Sequence, residues 1–429
     1  MGSPSSGLII LALCLLWSAP ARATVDFLAH PEDVHVKLVT FGPGPHLHER
    51  FGHVAVWAED TRRGARALYS YGVTSYGRAT ELRLLMERPT YWAARLPLDN
   101  ALLLYRARNR SIFVQELDLS VEQRRRLLER LERDVKPETR TYAYDPLRDN
   151  CATRLRDALD EALGGALRLQ LSGPAGRDER EHLRDSLREL PVTSTLLMLW
   201  LSDDVDAPMS RWQEAAFPRE LSQSLDEVRI VDDTGTLKPL VLRGHEEHLS
   251  RDVPPSREHG SRLLPIAVAL GACALLLTPR RFERGRAYRV ALGLYHALIG
   301  ATVGAAATAG FALMLFSVHP YFGINENQWL ANPLTMTLLP LGLLVAWGHP
   351  RAEVWVRGCV GLLVLGSLVP LVLGPLLPSF DQDTREVLPI LVITNAGLGL
   401  IHAKRWWHSR PARSRATVGA EGLSHRWGA

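Results

Sequence analysis

Five apolar stretches dominate the chain beyond residue 259, at residues 263–278, 290–316, 333–347, 358–377 and 387–402. A helix that crosses a bilayer needs ~20 such residues. The pattern predicts an all-α bundle of five transmembrane helices over residues 262–404. The connecting segments alternate in charge. Arg280, Arg281, Arg284, Arg286 and Arg289 cluster at the first, Arg351 and Arg357 at the third, and Lys404, Arg405 and Arg410 after the last. Residues 317–332 carry no Lys or Arg, and residues 378–386 only Arg385. Cations concentrate on the cytoplasmic side, so everything before the first helix is expected outside the cytoplasm. Residues 405–429 then form a cytoplasmic basic tail.

The other end of the chain agrees. Residues 8–17 form an apolar run too short to span, followed by Ala21-Arg22-Ala23. This predicts a signal peptide at 1–23. Between the two ends the pattern is that of a folded domain, residues 24–242. Val34, Val36 and Leu38 alternate with His35 and Lys37, the period of a strand. Residues 53–57 and 67–71 read as further strands, and 102–105 and 112–117 are taken as two more. At Ser120 the period changes. Ser120 with Gln123 forms a capping box, and Leu127, Leu128, Leu131 and Val135 line one face of the helix that follows. A second helix starts near Cys151, capped by Asp149 or Asn150, with Leu155, Ala158, Leu159 and Ala162 as its apolar stripe. Residues 196–201 are read as core packing, since no basic face accompanies them. Residues 228–242 suggest a hairpin about Asp232-Asp233-Thr234-Gly235, and the charged segment 243–261 a linker.

Charge separates the two halves. Residues 24–258 hold 34 Lys and Arg against 39 Asp and Glu, and residues 259–429 hold 15 against 7. The net positive charge thus lies between membrane helices, which excludes a nucleic-acid-binding surface. Of four cysteines, Cys14 belongs to the leader, and Cys273 and Cys359 to apolar segments. Cys151 is left alone in the exported domain. Exported proteins tend to pair their cysteines, so a lone thiol there needs a reason.

Its position supplies one. A helix start favours a thiolate and offers N–H groups to an oxyanion, so Asn150 and Ala152 are expected at the oxyanion site. The thiol needs a histidine base. His35, His46, His48 and His53 all precede it, and His53 opens a strand, where a rigid element would place it. Glu49, Tyr69, Ser70 and Tyr71 are the choices for a third member that orients the imidazole. Zinc and phosphate-loop motifs are missing, and His46-Leu47-His48 with Glu49 has no recognised ligand spacing. No metal and no cofactor are expected.

Four short motifs in order carry a resemblance. They are Phe51-Gly52-His53-Val54-Ala55, then Asp149-Asn150-Cys151-Ala152-Thr153-Arg154, then Asp206-Ala207-Pro208 through Trp212 to Phe217-Pro218, and finally the loop from His319-Pro320 through Asn325-Glu326-Asn327 to Asn332-Pro333. Together they resemble the Lnb family of bacterial lipoprotein N-acyltransferases over most of the mature chain. The resemblance implies an α+β, circularly permuted papain-like (NlpC-like) domain, in which the His strand precedes the Cys helix, as also in lecithin:retinol acyltransferase. It implies a catalytic domain in the periplasm on a multi-pass protein of the bacterial inner membrane. The implied partners are a phospholipid acyl donor and diacylglyceryl apolipoproteins, with Cys151 as nucleophile and His53 as base. The outer loop offers His319, Asn325, Glu326, Asn327 and Asn332 for a headgroup or a lipoprotein N-terminus. One departure is Glu49-Arg50 before Phe51, where the family pattern has a small hydroxyl residue. Two other functions fit the same residues: a thiol peptidase or amidase acting on cell-wall peptides, and a membrane receptor or assembly factor with an inert Cys151.

Overall fold

The structure is a computed structural model that describes residues 26–77, 79–232, 234–250, 263–278, 285–374, 376–377 and 380–409. The expected leader, residues 251–261 of the expected linker, Arg262, Arg280, Arg281 and Arg284, and the tail from 410 lie outside the described residues. The N-terminal half is a mixed α/β domain and the C-terminal half is helical.

The alternating segments become β1 (Val34–Phe41), β2 (His53–Asp60) and β3 (Ala65–Val73). They pair antiparallel with each other at the centre of a seven-stranded sheet. The helix α1 (Thr80–Met86) follows β3, and then come β4 (Thr90–Pro97), α2 (Leu98–Ala107) and β5 (Ile112–Leu117). The capping box at Ser120 starts α3 (Val121–Asp134), with the Ser120 hydroxyl accepting from Gln123 N–H and the Gln123 side chain accepting from Ser120 N–H. β6 (Thr141–Ala143) precedes α4 (Cys151–Ala162), and α5 (Ala166–Gln170), α6 (Glu179–Ser186) and α7 (Pro191–Trp200) follow it.

Period two sorts the sheet's side chains onto two faces. Val34, Val36, Leu38, Val54, Val56, Tyr69 and Tyr71 pack against Leu127, Leu128 and Leu131 of α3 and Leu155, Ala158 and Leu159 of α4. Val39, Phe41, Ala55, Trp57 and Leu68 pack on the other side against Leu98, Ala101 and Leu102 of α2. Two expectations are corrected here. Residues 102–105 are helical rather than extended, because Leu98, Ala101 and Leu102 bury at helical spacing while Leu103 is 67% exposed. The expected linker is also shorter at its start. After a small hairpin of β7 (Arg229–Val231) and β8 (Leu237–Pro239), β9 (Val241–His248) pairs with β5 as an edge strand. Its side chains are mostly exposed and charged, so no apolar alternation marks it. Backbone pairing and the Arg243–Glu116 and Arg106–Glu247 ion pairs hold it.

All five expected apolar segments are helical, but they differ in reach. The membrane half comprises α8 (Leu264–Leu276), α9 (Arg286–Ile299) continued through a π-helical turn (Gly300–Gly304) into α10 (Ala305–Phe316), α11 (Leu338–Trp347), α12 (Ala352–Leu373) and α13 (Leu388–Ser409). Arg286–Phe316 and Ala352–Leu373 are long and apolar enough to cross a membrane. A third crossing is reached if Pro320–Leu330 and Pro333–Trp347, bent by 59°, form one broken span. At 1.5 Å per residue, the 13 residues of Leu264–Leu276 cover about 20 Å of a ~30 Å hydrocarbon core.

The two halves are packed on one another through the segment read as core, and the partner is the membrane half. Pro191–Trp200 is a helix lying against α10. Trp200 Nε1 donates to Ala306 O at 2.9 Å, and Gly310 leaves the room, since a Cβ there would stand 2.5 Å from Trp200 Cδ1. The last carbonyls of this short helix have no partner within it. Asn325 donates to Leu199 O and Leu201 O, Asn327 to Met198 O, and Gln382 to Leu201 O. Arg184 reaches across to Asp383 at 2.7 Å and Glu386 at 3.4 Å.

Candidate active site

Asn150 builds the start of the cysteine helix. Its Oδ1 accepts from Ala152 N–H at 2.8 Å and Thr153 N–H at 3.0 Å, and the Thr153 hydroxyl accepts from Asn150 N–H. Its Nδ2 donates to Pro146 O and Ala216 O, tying the helix start to two neighbouring loops. Ala152 N–H is therefore engaged by the cap as well as bearing on the Cys151 sulfur. The N–H of Cys151 itself is not used by that cap.

Cys151 is buried at the α4 end of the sheet, packed against Gly72. Gly72 has φ +82, beside a register shift between Ser70 and Val73. Its missing Cβ lets the Cys151 side chain approach, since a Cβ at Gly72 would lie 3.7 Å from Cys151 Cβ. Burial pushes the thiol pKa up, opposed in part by the N–H groups of Val54, Ala152 and Cys151 and by the charge of Arg110.

His53 opens β2, one residue before Val54, whose N–H bears on the sulfur. Its Nε2 lies 2.9 Å from Ser70 Oγ, and its ring stacks on Phe41 at 5.9 Å. Ser70 Oγ donates to Tyr71 O at 3.4 Å. In the tautomer where Ser70 Oγ accepts from Nε2–H, the basic lone pair is on Nδ1. No hydrogen bond joins His53 to Cys151 in this resting arrangement, and apo catalytic pairs are often loose. Of the four choices for a third member, Ser70 is the one in contact with His53. Tyr69 donates to Glu132 and Tyr71 to Asp134 at 2.8 Å, both on the α3 side of the sheet. Glu49 is buried against Arg108 at 2.9 Å and Arg110 at 3.6 Å.

Arg110 is a residue the sequence did not single out. It is 4% exposed, donates from Nε to Gly42 O at 2.8 Å, and lies 4.8 Å over the Tyr105 ring. Burial and the Arg110 charge together lower the His53 pKa to about 3. The imidazole is thus a neutral base across the working pH range, and the resting pair is thiol and imidazole rather than an ion pair. An Arg110→Met protein should show the acidic limb of its rate profile moved upward from near pH 3, short of the ordinary ~6.5 because burial persists. A limb that stays in place would show that Arg110 does not act on His53. The linkage has the same sign. Between about pH 6.5 and 3 the unfolded chain binds a proton at His53 that the folded one does not, so stability falls as pH falls through that window.

The outer-loop residues divide. Asn325 and Asn327 are buried and use their amides to dock the Pro191–Trp200 helix. Asn332 caps the short turn at Pro333 through Leu334 N–H. Glu326 pairs with Gln382 through backbone and side chain. Those contacts use the amide nitrogens of Asn325 and Asn327 as fasteners for that helix. His319 differs, because it reaches the turn before Cys151.

A mixed α/β domain with a buried thiol at a helix start, docked on apolar helices, is the class of molecule described so far. Residues 27–187 match the family model described as the Lnb N-terminal periplasmic domain. With its apolar helices, the protein combines a periplasmic domain with a membrane half. No curated protein and no solved structure matches the chain.

Proposed function

We propose that this protein is a lipoprotein N-acyltransferase with a permuted papain-like periplasmic domain and five helices in the inner membrane. Cys151 is the nucleophile and His53 the base. The observation that carries the reading is a buried thiol at a capped helix start, beside the backbone N–H of Val54, whose strand neighbour His53 is held by Ser70. The match of residues 27–187 supports it.

Two half-reactions follow. The Cys151 proton passes to His53 Nδ1 as sulfur attacks an ester carbonyl of a phospholipid. The C–O bond breaks, His53 returns the proton to the leaving oxygen, and a lysophospholipid departs from an S-acyl enzyme. The neutral α-amine of a diacylglyceryl-cysteine lipoprotein then attacks the thioester. An amide forms, the C–S bond breaks, and the thiol regains its proton. Ping-pong kinetics are the signature. The N–H of Cys151 at the start of α4 faces the developing oxyanion.

The test is the intact mass of the full-length protein after incubation with phospholipid vesicles. A gain of one acyl chain, released by hydroxylamine and lost in Cys151→Ala, is expected. No gain on the native protein would sink acyl transfer and turn attention to cell-wall peptides.

A further inference from the structure

The turn that delivers Cys151 is built on one carboxylate. Asp145 Oδ1 accepts from Leu147 N–H and Arg148 N–H, both at 3.0 Å. Asp145 and Asp149 also exchange backbone hydrogen bonds at 3.0 Å, closing the turn immediately before Asn150 and Cys151. The other oxygen, Oδ2, faces away from the turn. It is met at 3.3 Å by His319 Nδ1 and at 3.1 Å by Arg88 Nε. Asp145 and His319 have side chains 1% and 0% exposed.

His319 belongs to the outer loop of the membrane half, 174 residues away. Its position is overdetermined. Nε2 lies 3.1 Å from Glu87 O, the ring stacks on Tyr321 at 4.7 Å, and its N–H donates to Ser317 Oγ. Ser317 and Val318 in turn bond to Leu85 O and Met86 O at the end of α1. Both ring nitrogens face oxygens, so the ring is aligned from two sides.

We propose that His319 is a positioning residue for Cys151: the membrane half, through the His319–Asp145 contact, sets the turn that aims the thiol. The membrane helices would then complete the active centre rather than merely anchor it. The inference rests on Cys151 being the nucleophile. An outer-shell partner of a reacting group characteristically controls ~10- to 100-fold in function, and a misplacement of about 1 Å costs as much.

The experiment uses full-length protein in lipid. His319→Ala should lower kcat on the order of 10- to 100-fold with KM for phospholipid within about twofold. It should also change the rate at which iodoacetamide labels Cys151, read on the Cys151 peptide by mass spectrometry. His319→Gln, which keeps one donor for Asp145, should recover most of both. Arg184→Gln removes a different bridge between the halves and should leave kcat and labelling within about threefold. Melting temperatures exclude a variant that fails to fold. Unchanged kcat and labelling in His319→Ala would overturn the proposal, as would an equal loss in Arg184→Gln, which would make the loop a fastener only. Labelling does not depend on the acyl-transfer reading. A native protein that gains no acyl chain but whose Cys151 labelling responds to His319 would refute the reaction and keep the positioning role.

Discussion

Cys151→Ala is expected to lower transfer about 10⁴-fold or more and to abolish the acyl adduct, and His53→Ala to do nearly the same. The argument lies in the resting state. Burial holds the thiol protonated, and burial with Arg110 holds the imidazole neutral. The thiolate therefore exists only while His53 carries its proton, and either loss removes the same step. The double variant should be no worse than the worse single one, because groups that act as a unit are not additive. Ser70→Ala keeps both reacting groups and loses only the bond to Nε2, so a loss of roughly 10-fold is expected. Steady-state rates on the four variants decide it. An additive double variant, or a Ser70→Ala as dead as Cys151→Ala, would contradict the dyad.

The second large effect is on stability. Arg180→Leu should destabilise the protein by about 3–5 kcal/mol, the usual cost of orphaning a buried charge. Arg180 has no exposed surface. Its Nε and Nη2 bond to the Asp206 carboxylate at 2.5 and 3.0 Å. The guanidinium also donates to Met198 O, Leu201 O and Ser202 O at 3.2, 3.4 and 2.6 Å. One side chain thus serves the end of the Pro191–Trp200 helix that sits on the membrane half. Leucine would leave Asp206 and these carbonyls without it. Denaturant unfolding in detergent measures the change, with proteolysis near residues 190–210 as a local readout. A midpoint equal to that of the native protein would show that the cluster carries no stability.

The legible parts of this chain were those with a local rule. Alternation marked β1 to β3, a capping box marked α3, and a lone thiol beside Asn150 marked the start of α4. His53 stands out in the sequence because it opens a strand, and of the four residues open as its partner the one it meets is Ser70. The misread parts obey longer-range rules. Leu102, Leu103 and Leu104 are consecutive, so no period separated a helix from a strand. β9 is charged on both faces and exists because β5 offers an edge. Residues 196–201 read as core by their own pattern, and the surface they bury against begins more than a hundred residues later, at Ala306. Arg110 and Asp145 have no motif; partners brought together by folding give them their roles. Their signal could only have been an isolated polar residue near an already suspected site.

The Trp200–Gly310 contact has a consequence for depth. Gly310 lies six residues before Phe316, the last residue of α10, which at 1.5 Å per residue is about 9 Å along the helix. On the proposed topology, with Phe316 at the outer face, the N-terminal domain reaches below the level of the helix ends, to where headgroups give way to acyl chains. Pulling an acyl chain into water costs about 0.8 kcal/mol per CH₂, on the order of 10 kcal/mol for a chain of ordinary length. A domain that descends to the glycerol ester, instead of waiting above it, avoids that cost. On the acyl-transfer reading, the donor can keep its tails in the leaflet while only its ester bond is presented to the protein.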